Sequence, residues 1–84
     1  MKNNEILKRQ IIYRSTHRGN KEMDLLLGSF VKKNINTFKY SDLKDLERLI
    51  LLDDETLKEF FFRKDNKIFI PENKVTKMFK KFKL

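Results

Sequence analysis

The chain contains no cysteine and no tryptophan, a single histidine, one proline and two glycines in 84 residues. Without cysteine there are no disulfides, thiolate metal ligands or thiol nucleophiles, and the composition suits a reducing compartment. One histidine excludes a multi-histidine metal centre. No apolar run approaches the roughly 20 residues that a membrane span requires. The opening stretch MKNNEILKRQ lacks the apolar core of a signal peptide, and it carries Glu5 where a transit peptide avoids acid. Neither a phosphate-cradling glycine loop nor a dinucleotide fingerprint is present. These absences lead us to expect a cytoplasmic protein with no membrane insertion.

What is present is charge and apolar bulk in nearly equal measure, 38% charged and 39% hydrophobic residues. Such a chain folds as one small domain, residues 1–84, with a thin core. Net charge is +8, but it is unevenly spread. Residues 1–39 carry nine basic and three acidic groups, residues 40–63 four and seven, and residues 64–84 seven and two. An acidic block thus lies between two basic ones. A basic domain invites a nucleic-acid reading, and a solvated lysine-rich surface explains the same composition. The lysines after Val75 are expected to be mostly solvated.

Apolar residues recur at helical spacing, which predicts an all-α fold, a five-helix bundle with short connections. Ile6, Leu7, Ile11 and Ile12 mark a first helix over about 4–14. Met23, Leu26, Leu27, Phe30, Val31 and Ile35 mark a second over about 20–35. Ser41 is the expected N-cap of a third helix carrying Leu43, Leu46, Leu49 and Ile50. Asp53 and Asp54 are the expected cap of a fourth, marked by Leu57, Phe60 and Phe61. RKDNK is a polar break and KIFI an extended apolar connector. Pro71 fits the first turn of a last helix with the stripe Val75, Met78, Phe79 and Phe82. The eight phenylalanines are read as core. Met23, Leu27, Phe30, Leu46, Ile50, Leu57 and Phe61 are expected to be mostly buried.

No catalytic constellation stands out. Asp42, Asp45 and Glu47 read as the exposed face of an amphipathic helix rather than as paired acids. His17 could serve as a general base only with a partner that the sequence does not identify. The junction RGNKEMD, residues 18–24, admits two readings. In one it is punctuation: Gly19 closes the first helix in the left-handed conformation, Glu22 favours the start of the next, and Arg18 and Glu22 form a local ion pair. In the other, glycine permits close approach of another backbone, flanked by an arginine and a carboxylate facing outward. Three of the five arginines (Arg9, Arg14 and Arg18) cluster here while lysine is spread. Arginine's flat fork can bind a carboxylate or phosphate at two points.

The stretch RSTHRGNKEMDLLLGSF resembles the succinate dehydrogenase assembly factor 2 family, small helical flavinylation factors of bacteria and mitochondria. Its signature is Arg-Gly-x-x-Glu, then an apolar or small residue, Asp, and an apolar run ending near Phe. Arg18, Gly19, Glu22, Met23, Asp24, Leu25, Leu26, Leu27 and Phe30 supply it. DLKDLERLILLDDETLKEFF resembles the family's second block, so the likeness spans about residues 9–63, and the basic tail departs from it. The resemblance implies a non-enzymatic assembly factor that binds no metal or cofactor itself. Its partner would be the flavoprotein subunit of succinate dehydrogenase, or of fumarate reductase, to which it promotes covalent attachment of FAD. The implied docking face is Arg18, Gly19 and Glu22, with His17 and Arg14 beside them, and with Asp24 docking or bracing the helix. A monomer that binds no nucleic acid is expected, with Arg18 and Glu22 each tolerating alanine. The alternative is a small basic nucleic-acid-binding or regulatory helical protein.

Overall fold

The computed structural model describes residues 2–62 and 72–83, with side chains from residue 4 onward. Five α-helices and one 3-10 turn, with no strand, make up the described residues: α1 (Lys2–Thr16), α2 (Lys21–Asn34), the turn Ile35–Thr37, α3 (Tyr40–Ile50), α4 (Asp54–Phe62) and α5 (Lys74–Lys81). The all-α bundle expected from the sequence is therefore the observed fold. The expectations for RKDNK, KIFI and Pro71 fall wholly or largely on residues outside those described. The last helix begins after Asn73, which caps it by accepting the Thr76 amide while the Thr76 hydroxyl accepts the Asn73 amide, both at 2.9 Å.

The second helix carries the most complete apolar stripe. Met23, Leu26, Leu27, Phe30, Val31 and, just beyond it, Ile35 are all buried. α1 packs along α2 and α3, and α5 packs on α3 and α4. Phe30 receives Phe79 and Phe82 edge-on, with ring centroids 5.2 and 5.4 Å away, and Phe61 packs against Phe79 at 5.1 Å. Edge-to-face rings suit the quadrupole of each partner, so a few phenylalanines close a core that the chain is too short to thicken. Phe61 is only half-buried, contrary to expectation: it stands one turn beyond the buried Leu57 on the same face, near the end of α4, and packs against the edge of the core. Ile6 is exposed, because the buried side of α1 runs through Leu7 and Ile11.

The buried Gly28 sets how closely α1 and α2 approach. A Cβ there would stand 2.9 Å from Thr16 Cγ2. Thr16 is held in place because its hydroxyl donates to the Ile12 carbonyl at 2.8 Å.

Two caps differ in part from the expected ones. Ser41 lies inside α3, whose flanking residue is Lys39; the Asp42 carboxylate accepts the Lys39 amide at 3.2 Å. An acid one turn in bonds back to the amide that precedes the helix and places negative charge at its N-terminus. Asp53, as expected, caps α4 by accepting the Thr56 amide at 2.8 Å. The Thr56 hydroxyl and amide together hold the Asp53 carboxyl below its ordinary range.

Candidate partner-binding site

The junction between α1 and α2 is built from short local bonds. α1 ends at Thr16, and Gly19 takes a φ of +85°, a conformation that side-chain-bearing residues rarely adopt. Asn20, extended at φ −130°, caps α2 by accepting the Met23 amide at 3.2 Å. Asp24 reaches back and accepts the Arg18 amide at 2.8 Å. The motif's aspartate is thus a brace across the turn.

Arg18 turns inward, and its side chain is only 10% exposed. Its Nε donates to Asp54 Oδ1 at 2.6 Å, its Nη1 to the Ile50 carbonyl at 2.5 Å, and its Nη2 to the Leu52 carbonyl. The expected ion pair with Glu22 does not form. Between Arg18 and Glu22 the chain passes through Gly19 and the Asn20 cap, so the spacing of four residues is not helical spacing. The carbonyls at the end of α3 have no partner further along the helix and carry partial negative charge. Asp54 stands at the start of α4, where a carboxylate is also favoured. Arg18, at the α1–α2 junction, therefore closes the adjoining α3–α4 junction.

The rest of the motif is presented to solvent. Gly19 is exposed, and nothing lies within 4 Å of the position a Cβ would occupy. The Glu22 side chain is 67% exposed and only 3.9 Å from Lys58 Nζ, a surface pair of little energetic weight. His17 stacks on Tyr13 with ring centroids 4.1 Å apart, and its Nδ1 lies 2.9 Å from the Tyr13 carbonyl. A carbonyl only accepts, so this contact requires the proton on Nδ1, which also lies 3.0 Å from the Thr16 hydroxyl. Arg14, about half exposed, reaches Glu47 at 3.8 Å.

Tyr13, Arg14, His17 and Arg18 form one wall of an open groove of about 430 Å³, and Ile50, Leu51, Leu52, Asp53 and Asp54 form the other. Sequence reasoning missed Tyr13 and Leu51 here. Tyr13 had a signal, since it stands one helical turn before His17. Leu51 had none within the pattern of α3, because it follows the buried stripe and is exposed just past the helix end.

The three acids of α3 serve the fold. Asp42 faces Lys74 at 3.5 Å, Asp45 faces Arg48 at 3.6 Å, and Glu47 is shared by Lys44 and Arg14. Glu47 also raises the pKa of Lys44, first through their hydrogen bond. Among the described residues no group of three or more His, Asp or Glu side chains is arranged to hold a metal ion. No helix among them is long and apolar enough to cross a membrane.

A small helical bundle whose motif residues build a braced turn and an adjoining groove belongs to the class of domains that present a surface. The chain belongs to the family described as "Flavinator of succinate dehydrogenase", which it matches over residues 9–83. It is 32% identical over 74 residues to the FAD assembly factor SdhE of Acetobacter pasteurianus, a match covering 88% of this chain and 65% of that one. It is 35% identical over 83 residues to the mitochondrial succinate dehydrogenase assembly factor 2 of Dictyostelium discoideum, covering 93% and 57% respectively. The chain thus spans about three-fifths of the length of these curated relatives. No solved structure matches it.

Proposed function

We propose that this chain is an assembly factor that binds the flavoprotein subunit of succinate dehydrogenase, or of fumarate reductase, and promotes covalent attachment of FAD to it. It acts as a cytoplasmic monomer, holds no cofactor of its own and supplies no catalytic group. The observation that carries this reading is Gly19: exposed, at φ +85°, with open space where a side chain would be. A partner backbone can come closer there than anywhere a Cβ intervenes. Glu22 and the His17–Tyr13 stack flank it with an exposed carboxylate and a flat ring. Membership of the flavinator family and the names of the two relatives support the choice of partner.

A helper of this kind works through differential affinity. It favours the arrangement of its client in which the reacting groups are aligned, and alignment alone can contribute several kcal/mol. No proton transfer from the helper is needed, which fits a histidine whose ring is stacked and whose Nδ1 is occupied.

The test is capture of the purified flavoprotein subunit, followed by in-gel detection of its covalent flavin at limiting factor concentration. Glu22→Ala is expected to keep wild-type melting and to weaken capture about tenfold, the loss of one charge-assisted contact. Gly19→Arg is expected to abolish capture. Gly19→Ala, which bears the same backbone penalty without the bulk, separates folding from docking. Full flavin attachment by both Glu22→Ala and Gly19→Arg would reduce the motif to a turn.

A further inference from the structure

A second surface lies along the seam between α2 and α4, and it begins where the Gly19 face ends. Glu22 and Lys58 approach across this seam. One turn further along each helix stand Leu25 and Phe62, each 60% exposed. With three leucines in a row at 25–27, a helix cannot turn all of them inward; Leu26 and Leu27 are buried and Leu25 is left outside. A single exposed leucine needs no explanation, but a leucine and a phenylalanine bordering the same groove do. Together with Leu26, Phe61 and Phe82 they line a groove of about 320 Å³ whose walls are almost wholly apolar, and Glu22 and Lys83 complete the lining.

The geometry points to this groove as an apolar socket for the same flavoprotein subunit that the Gly19 face engages, an inference that rests on the assembly-factor reading above. The occupant is an aliphatic or aromatic side chain of that subunit. It carries a basic neighbour toward Glu22 and an acidic neighbour toward Lys83. Two observations select this partner. Glu22 belongs to both surfaces, so a body seated over Gly19 and reaching Glu22 already borders the groove. The two charged residues of the lining, Glu22 and Lys83, are of opposite sign, so a segment that brings an apolar side chain with a base and an acid beside it is complementary. Polar contacts around Gly19 then set position, and the socket contributes the desolvated anchor on which interface affinity usually depends.

The experiment titrates the purified flavoprotein subunit, lacking covalent flavin, against wild type, Glu22→Ala, Leu25→Ser, Phe62→Ser and Phe62→Leu. Sedimentation equilibrium and thermal melting are run on each. Because Leu25 and Phe62 are exposed, melting is expected to stay close to wild type. Leu25→Ser and Phe62→Ser are each expected to weaken capture about tenfold, as loss of one buried apolar side chain does, and Phe62→Leu to restore most of it. Wild-type capture that is weakened by Glu22→Ala but untouched by both serine variants would overturn the socket and leave the assembly-factor reading standing. Failure of the wild type to capture the subunit would overturn both. A wild-type dimer that Phe62→Ser dissociates, with capture unchanged, would assign the groove to a second copy of this chain and overturn the inference.

Discussion

Arg18 shows how one side chain can belong to a recognition motif and still be spent inside its own fold. Its three nitrogens donate in three directions, to Asp54 and to the Ile50 and Leu52 carbonyls. An ammonium on a flexible stem is a point charge and cannot span three such acceptors, so lysine is not an equivalent here. The expectation that Arg18 tolerates alanine is accordingly revised. Truncation would leave a half-buried carboxylate and two carbonyls at a helix end without their donor. Arg18→Ala is expected to cost about 2–4 kcal/mol, and Arg18→Lys to recover only part of that. Urea unfolding measures both; an alanine variant as stable as wild type would mean the clamp is ornamental. Glu22 has no such duty, so it reports docking more cleanly than Arg18 does. The true partner, Asp54, is 36 residues away, which no local spacing rule registers. The turn chemistry of Gly19 and the bracing use of Asp24 were legible because each is a bond within a few residues. The inward turn of Arg18 was not, because it depends on where α3 and α4 meet.

At the scale of the helices, the same distinction holds. Met23, Leu26, Leu27, Phe30 and Val31 on α2, and Leu43, Leu46, Leu49 and Ile50 on α3, could be read as core from period alone, since a wide apolar stripe has one way to be buried. Shorter signals were less decisive. Ser41 looked like a cap because its hydroxyl suits one, yet the chain enters the helix two residues earlier, at Lys39, whose amide Asp42 accepts. Gly28 carried information that only the packed helices reveal. In a helix interior glycine is about 1 kcal/mol worse than alanine, so its presence calls for a packing reason. The reason is Thr16 Cγ2, 2.9 Å from where a Cβ would stand. Thr16 is β-branched and tied by its hydroxyl, so it cannot swing aside cheaply. Overpacking of this kind costs about 1–3 kcal/mol, which outweighs the propensity gain at most of that range. Gly28→Ala is expected to lower stability by about 1 kcal/mol. Adding Thr16→Ser, which removes the offending methyl and keeps the hydroxyl, should restore it, a coupling that a double-mutant cycle reads directly. A Gly28→Ala protein at least as stable as wild type would show that α1 and α2 can part without loss.

For the whole molecule, the uneven charge of the chain becomes intelligible once the helices are assembled. The acidic block of residues 40–63 meets the basic blocks on either side of it: Asp54 takes Arg18, Glu47 takes Arg14, and Asp42 takes Lys74. What sequence composition presented as a basic protein is therefore partly a protein whose first and last segments are neutralised by its middle. The remaining excess lies on the surface, where Lys32, Lys33, Lys77, Lys81 and Lys83 are exposed. Lys33 and the half-buried Lys80 make cation–π contacts, their Nζ atoms lying over the Phe82 ring at 5.9 Å and the Phe60 ring at 5.1 Å. Lys77 and Lys81 are thus the cleanest places to ask whether net charge matters. Surface substitutions of this kind usually shift free energies by no more than about 0.5 kcal/mol. Lys77→Gln with Lys81→Gln is expected to leave melting unchanged and flavin attachment within about twofold of wild type. A nucleic-acid-binding role makes a different forecast. Lysines that neutralise phosphates release counterions, so binding falls steeply as salt rises, and each lost contact makes that slope shallower. Fluorescence titration with duplex and single-stranded oligonucleotides at low and physiological salt distinguishes the two. Tight, salt-steep binding that the double variant relaxes, together with full flavin attachment by Glu22→Ala, would move the working surface from the Gly19 turn to the lysines of α5.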